Sequence, residues 1–136
     1  SQTFYRAVLA APGCVGRIIQ ISSGAAHKPI AGWTSYCASK AAMWRGTEVM
    51  AAEMQTDRCK VALLSPGVVD TAMQTLIRQQ DEADLPGLAW FVGMHREGKL
   101  SDVSVVSAWV LRLLEDDVQS GGESFPHSEV VDLMHE

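Results

Sequence analysis

The sequence has 136 residues, 47% of them hydrophobic and 20% charged, with a net charge of −5. This is the balance of an ordinary globular domain, long enough to bury a core, and not that of a disordered chain. The mild acidity and the lack of a basic block argue against nucleic acid, whose affinity comes largely from clustered Lys and Arg on phosphates, and no apolar run nears the roughly 20 residues that span a bilayer.

In chain order, residues 2–11 place Phe4, Ala7, Val8 and Ala11 on one helical face, and Pro12 with Gly13 stops that helix. The opening stretch, SQTFYRAVLAAPG, has neither a basic leader nor a long apolar segment and does not read as a signal peptide. Gly13 and Gly16 precede a strand, not a helix, and read as a turn. Residues 17–22, RIIQIS, form a β-branched run suited to a buried strand. A loop of Gly, Pro and small residues follows over 23–34. Residues 35–55 form the longest helix, without proline and interrupted only by Gly46; Met43, Met50 and Met54 recur at helical spacing, as core or as a helix–helix interface.

Residues 60–64, KVALL, are a second apolar strand closed by Ser65, Pro66 and Gly67. Strand, long helix, strand is a βαβ crossover and implies a parallel sheet. Asp70 or Thr71 can cap a short helix over 72–79. Residues 81–98, with Pro86, Gly87, Gly93 and Gly98, read as irregular or broken helix. An amphipathic helix over 102–116 has Val105, Val106, Trp109, Val110, Leu113 and Leu114 as its apolar stripe. Ser120, Gly121 and Gly122 mark a turn, and the tail is a last strand or a mobile end. The expected class is α/β, in a single partial domain over residues 1–136.

Tyr36 and Lys40 stand four apart on the long helix, so both leave the same face one turn apart. A phenol is a poor acid–base group near neutrality; an ammonium close by favours its ionised form and makes proton donation to a carbonyl oxygen practicable. That pair alone is a weak signal. Its context strengthens it: Ser23 follows the first strand, Ser65-Pro66-Gly67 ends the second, and ligands of parallel α/β sheets collect outside the carboxyl ends of strands. The three cysteines, Cys14, Cys37 and Cys59, lack CxxC spacing and read as free buried thiols in a reducing cytoplasm. His27, His95, His127 and His135 have no ligand spacing, so no metal is expected.

The motifs GRIIQISSG (16–24), YCASK (36–40) and SPGVVDTAM (65–73) resemble the short-chain dehydrogenase/reductases in order and spacing. Within that family, PIAGWTSYCASKAA, VVDTAMQTLIR and GKLSD with SAWVLRLLEDD are most similar to the branch of sepiapterin reductase and the benzil-type dicarbonyl reductases. The resemblance implies the C-terminal half of a doubly wound, Rossmann-like parallel-sheet domain that reduces a carbonyl or dicarbonyl with NADP(H), NAD(H) not being excluded. It implies Tyr36 as general acid, Ser23 as the hydrogen-bond donor to the substrate carbonyl, and Lys40 as partner of Tyr36 and of the nicotinamide ribose. Pro66, Gly67, Val69 and Thr71 would border the cofactor, Val69 through its backbone and Thr71 through its hydroxyl. Trp33, Trp90, Phe91 and Met94 would form an apolar substrate wall, the segment after Thr71 being the family's lid. A homo-oligomer, dimer or tetramer, through the Tyr36-bearing helix is implied as well.

The same resemblance shows what this sequence lacks. It contains no glycine-rich GxxxGxG or GxGxxG turn to cradle a pyrophosphate, and no asparagine to complete the family's proton relay. Asp132 matches only loosely the aspartate that anchors a pterin. The expectation is an incomplete fragment that binds dinucleotide poorly and turns over slowly or not at all. The alternative is a non-catalytic remnant serving as a dimerisation or interaction module; isomerase or dehydratase chemistry is a weaker third reading.

Overall fold

The computed structural model describes residues 2–54 and 58–115, and the backbone of 129–132. The proposed turn at Ser120, Gly121 and Gly122 lies outside the described residues, as do His127 and His135. Helix α1 (Gln2–Ala10) leads through a turn at Gly13, whose φ is +72°, into strand β1 (Gly16–Ile21). A single 3-10 turn (Gly24–Ala26) precedes helix α2 (Thr34–Glu53), which feeds strand β2 (Cys59–Ser65). Helices α3 (Ala72–Arg78), α4 (Leu88–Arg96) and α5 (Val103–Glu115) follow, and strand β3 (Glu129–Asp132) ends the described chain.

The sheet order is β1-β2-β3. β1 and β2 pair in parallel from Gly16↔Cys59 to Ile21↔Leu64, as the crossover requires. β3 runs antiparallel to β2, from Ala62↔Asp132 to Ser65↔Glu129, so an otherwise parallel sheet carries one reversed strand. β2 is the central strand and accordingly the most buried: Cys59, Val61, Leu63 and Leu64 are all essentially inaccessible.

Two apolar clusters hold the elements. Ala51 and Met54 of α2 pack on Cys59 and Val61 of β2, with Tyr5, Ile18 and Met50 around them. The second joins Ile77, Leu85 and Phe91 to Trp33 and Leu88. Met54 thus enters the core and Met50 lies against it, whereas Met43 faces a groove between α1 and α2. Burial pushes the Cys59 thiol up, which keeps it unreactive. All three cysteines are free, but only Cys59 is buried; Cys14 is exposed in the α1–β1 turn and Cys37 is half-buried on the first turn of α2.

Gly16 is not a turn residue. It opens β1 beneath α1, where an added Cβ would lie 2.5 Å from Val8 Cγ2 and 2.9 Å from Phe4 Cε1, so the missing side chain lets helix and strand touch. Arg58 secures the other end of α1: its guanidinium donates to the carbonyls of Val8 (2.5 Å), Leu9 (3.3 Å), Ala11 and Cys14 (3.2 Å). These include carbonyls that a helix leaves unpaired in its last turn. The expected stripe of α5 is only partly covered, since no α5 residue is buried and Val105 and Leu114 are 44% exposed.

Candidate active site

The carboxyl end of β1 delivers Ser23 in extended conformation (φ −160°, ψ 151°), where it caps the 3-10 turn. Its Oγ accepts from the Ala25 N–H at 3.2 Å. Accepting uses a lone pair only, so the hydroxyl proton remains available for donation to a carbonyl. Ser23 is thus a structural cap whose bond leaves the donor role open.

Tyr36 and Lys40 lie on the first two turns of α2, both half-buried. Lys40 Nζ lies 5.7 Å from the centre of the Tyr36 ring and donates a 3.0 Å hydrogen bond to the Ile21 carbonyl. Gly16 N donates to Arg58 O and Ser22 N to Leu64 O, both at 2.8 Å, so the even-numbered residues of this run face β2. Ile21 then faces the other way, onto the open edge of β1. The ammonium thus satisfies an edge carbonyl and ties the Tyr36 helix to the strand end two residues before Ser23.

At the end of β2, Pro66 and Gly67 (φ +74°) turn the chain away from the sheet. Val69 forms a parallel bridge with Ser101: Ser101 N donates to Val68 O (2.8 Å) and Asp70 N to Ser101 O (2.9 Å). That pattern occupies the groups flanking Val69 and turns the N–H and C=O of Val69 itself the opposite way. Thr71 stands at the N-cap of α3 and is exposed, but its side chain makes no capping bond. Helix capping therefore does not account for the Thr71 hydroxyl. A backbone donor–acceptor pair, a free hydroxyl and an ammonium are a donor set that suits a carboxamide and a ribose, so these residues fit the nicotinamide end of a dinucleotide.

The segment 81–96 packs over the start of α2. Trp33 stacks on Phe91 with ring centres 5.3 Å apart and planes 6° apart, and meets Tyr36 edge-on at 5.1 Å and 89°. Trp90 meets Phe91 edge-on at 4.9 Å and is 55% exposed. Phe91 is buried with Ile77 and Leu85, so it backs the wall without forming its free surface. Met94 is half-buried on α4. Sequence reasoning did not anticipate the Ile21 carbonyl, because a backbone group carries no side-chain signal. It also missed Gly32, whose φ is +81° and where an added Cβ would lie 3.0 Å from Asp84 O; a glycine before Trp33 was the available clue. Among the described residues no cluster of His, Cys, Asp or Glu could hold a metal.

Comparison with known proteins bears on the fold and the family. The short chain dehydrogenase profile matches residues 1–82. A benzil reductase ((S)-benzoin forming) of Bacillus cereus is 38% identical over 117 residues, covering 85% of this chain and 45% of that protein. Sepiapterin reductase of Bos taurus is 36% identical over 112 residues, covering 82% of this chain and 40% of that protein. The crystal structure of the KRED1-Pglu enzyme superposes with a TM-score of 0.69 at 29% identity, covering 76% of this chain and 43% of that one. The chain spans less than half the length of the relatives it matches. With the profile extending over both strands and the helix between them, the chain belongs to the short-chain dehydrogenase/reductase family.

Proposed function

We propose that this chain carries the acid–base half of an NADP(H)-dependent carbonyl reductase acting on a small carbonyl or dicarbonyl compound. The observation that carries this reading is the Lys40–Ile21 bond beside the Tyr36 ring, which holds a phenol and an ammonium at the strand end that also presents Ser23. The dinucleotide, when bound, supplies the hydride. Lys40 and Thr71 would hold its ribose and phosphate side, and the Val69 backbone its carboxamide, with Pro66 and Gly67 shaping the loop. The Ser23 hydroxyl donates to the substrate oxygen and steadies the negative charge that develops there. Tyr36 gives its proton to that oxygen as the carbonyl carbon is reduced, and the phenolate regains a proton from solvent.

Trp33, Trp90 and Met94 would bound the substrate, and the two indoles with a polarizable thioether suit an aryl or conjugated ketone. The names of the relatives, benzil and sepiapterin reductases, set the compounds to try first. No sequence in this chain supplies a glycine-rich pyrophosphate turn, so the complete activity is proposed for a protein in which this piece is joined to a dinucleotide-binding half. The test is NADPH oxidation by that longer protein against benzil, sepiapterin and simpler ketones. Tyr36→Phe should lower kcat on the order of a hundredfold or more; turnover near the parent level would refute the assignment of the acid. For the 136-residue chain alone the expectation is weak dinucleotide binding and no turnover, and tight NADPH binding in a fluorescence titration would contradict it.

A second reading, an interaction module, is supported by a separate feature. A groove of about 850 Å³ runs between α1 and α2, lined by Tyr5, Leu9, Met43, Val49 and Met50 among others. Its rim, including the half-exposed Val49, would face α2 of a second copy, in a dimer or tetramer built on that helix.

A further inference from the structure

We propose that Trp33 is a positioning residue that couples α4 to Tyr36, so that the placement of α4 sets the orientation of the catalytic ring. This rests on the reading of Tyr36 as the acid and adds a residue that acts through it. Trp33 occupies the N-cap position of α2 with non-helical backbone (φ −113°, ψ 32°) and makes no side-chain capping bond, so helix capping does not explain it. Its indole contacts two elements at once. One contact is the parallel stack on Phe91 of α4; the other is the perpendicular packing against Tyr36, three residues along. Both arrangements are ones that aromatic quadrupoles favour.

The two ends of this chain of rings are held differently. Phe91 is only 7% exposed, and the cluster of Ile77 and Leu85 fixes it. Tyr36 is half-buried, and the Trp33 ring packs against it. An independent contact presses the same two segments together: at Gly32 an added Cβ would meet Asp84 O at 3.0 Å and Pro86 Cδ at 3.2 Å. Residues 84–86 therefore pack against Gly32 and Phe91 against Trp33, the two residues that precede α2, while Tyr36 meets the same indole edge-on. A shift of α4 either carries Trp33 with it or breaks the stack and leaves the indole free to reorient, and a moved indole changes its packing on the Tyr36 ring. An acid must stay within hydrogen-bond reach of the oxygen it protonates, and an error of about 1 Å in such placement can cost roughly a hundredfold in rate.

The test needs no turnover, so it can fail independently of the reductase reading, which Tyr36→Phe decides in the longer protein. The sequence has two tyrosines, Tyr5 and Tyr36. Incorporating 3-fluorotyrosine gives one fluorine resonance for each, with Tyr5, packed in the α1–α2 cluster, reporting whether a variant is folded. Phe91→Leu is made with Trp33 present and again in a Trp33→Leu background. The expected result is a displacement of the Tyr36 resonance beyond its line width when Trp33 is present, and none when Trp33 is leucine, with Tyr5 unmoved throughout. A Tyr36 resonance indifferent to Phe91→Leu with Trp33 in place overturns the proposal, as does an equal displacement in both backgrounds. If Phe91→Leu disturbs Tyr5, Trp90→Leu serves as the milder perturbation of α4 and is judged by the same two outcomes.

Discussion

At the scale of single residues, Ser23 shows how a structural bond and a chemical role share one hydroxyl. The oxygen accepts from Ala25 N, and the proton is left for a ligand. Ser23→Ala removes both. Loss of an oxyanion donor costs on the order of a hundredfold to a thousandfold in kcat, whereas loss of the cap on a three-residue turn is a small change in stability. The longer protein carrying Ser23→Ala should therefore melt close to the parent while kcat falls steeply; unchanged kcat would remove Ser23 from the mechanism. Tyr36, Lys40 and Ser23 could be named as candidates from the sequence because each is a reactive side chain at a motif spacing. The Ile21 carbonyl that engages Lys40 was not, since a strand register decides which backbone groups face an open edge.

At the scale of elements, two helix ends depend on side chains supplied from outside the helix. Arg58, immediately before β2, binds four carbonyls at the end of α1. Arg58→Ala should destabilise the protein by roughly 1.5–3 kcal/mol, the range for hydrogen bonds to a charged group. Arg58→Lys should restore little, because a point charge cannot span the same fork of acceptors. Urea denaturation measures both. Asp102, just before α5, accepts from Ser104 Oγ at 2.5 Å and Ser104 N at 2.7 Å, and these bonds hold its carboxyl below the usual range. The folded value being lowered, the stabilisation is present above the ordinary carboxylate value and is lost as pH falls through the lowered one. Asp102→Ala should weaken amide protection in the first turn of α5 at neutral pH, and the two proteins should converge in acid. A difference that persists at the lowest pH would show that the charge is not the cause.

At the scale of the molecule, α2 is the element whose surroundings matter most. Its apolar residues are spread around its axis, and only Thr47 and Ala51 are buried. A helix of that kind is covered on more than one side or serves as an interface. The groove beside it mixes apolar residues with Arg6, Gln20 and Glu53, and includes Val49, which is 50% exposed. If α2 forms the oligomer interface, Val49→Asp should shift association toward monomer by about 3 kcal/mol, more than a hundredfold in Kd, because it buries an unpaired charge. Sedimentation equilibrium reads this directly, and an unchanged assembly state places the interface elsewhere. Among the described residues no helix is long and apolar enough to cross a membrane.

The sequence by itself determined the α/β class, the strand–helix–strand core and the placement of Tyr36 four residues before Lys40. Hydrophobic period and turn residues are local properties, and the βαβ rule converts them into parallel pairing without further information. Tertiary structure alone decided the rest. It reversed β3 against β2, turned Gly16 from a presumed turn into a point of helix–strand contact, exposed Cys14, and stacked Phe91 on Trp33. Each of these depends on which surfaces meet across many residues of intervening chain. Contact between distant segments is set by the packing of the whole and leaves no periodic trace in either segment.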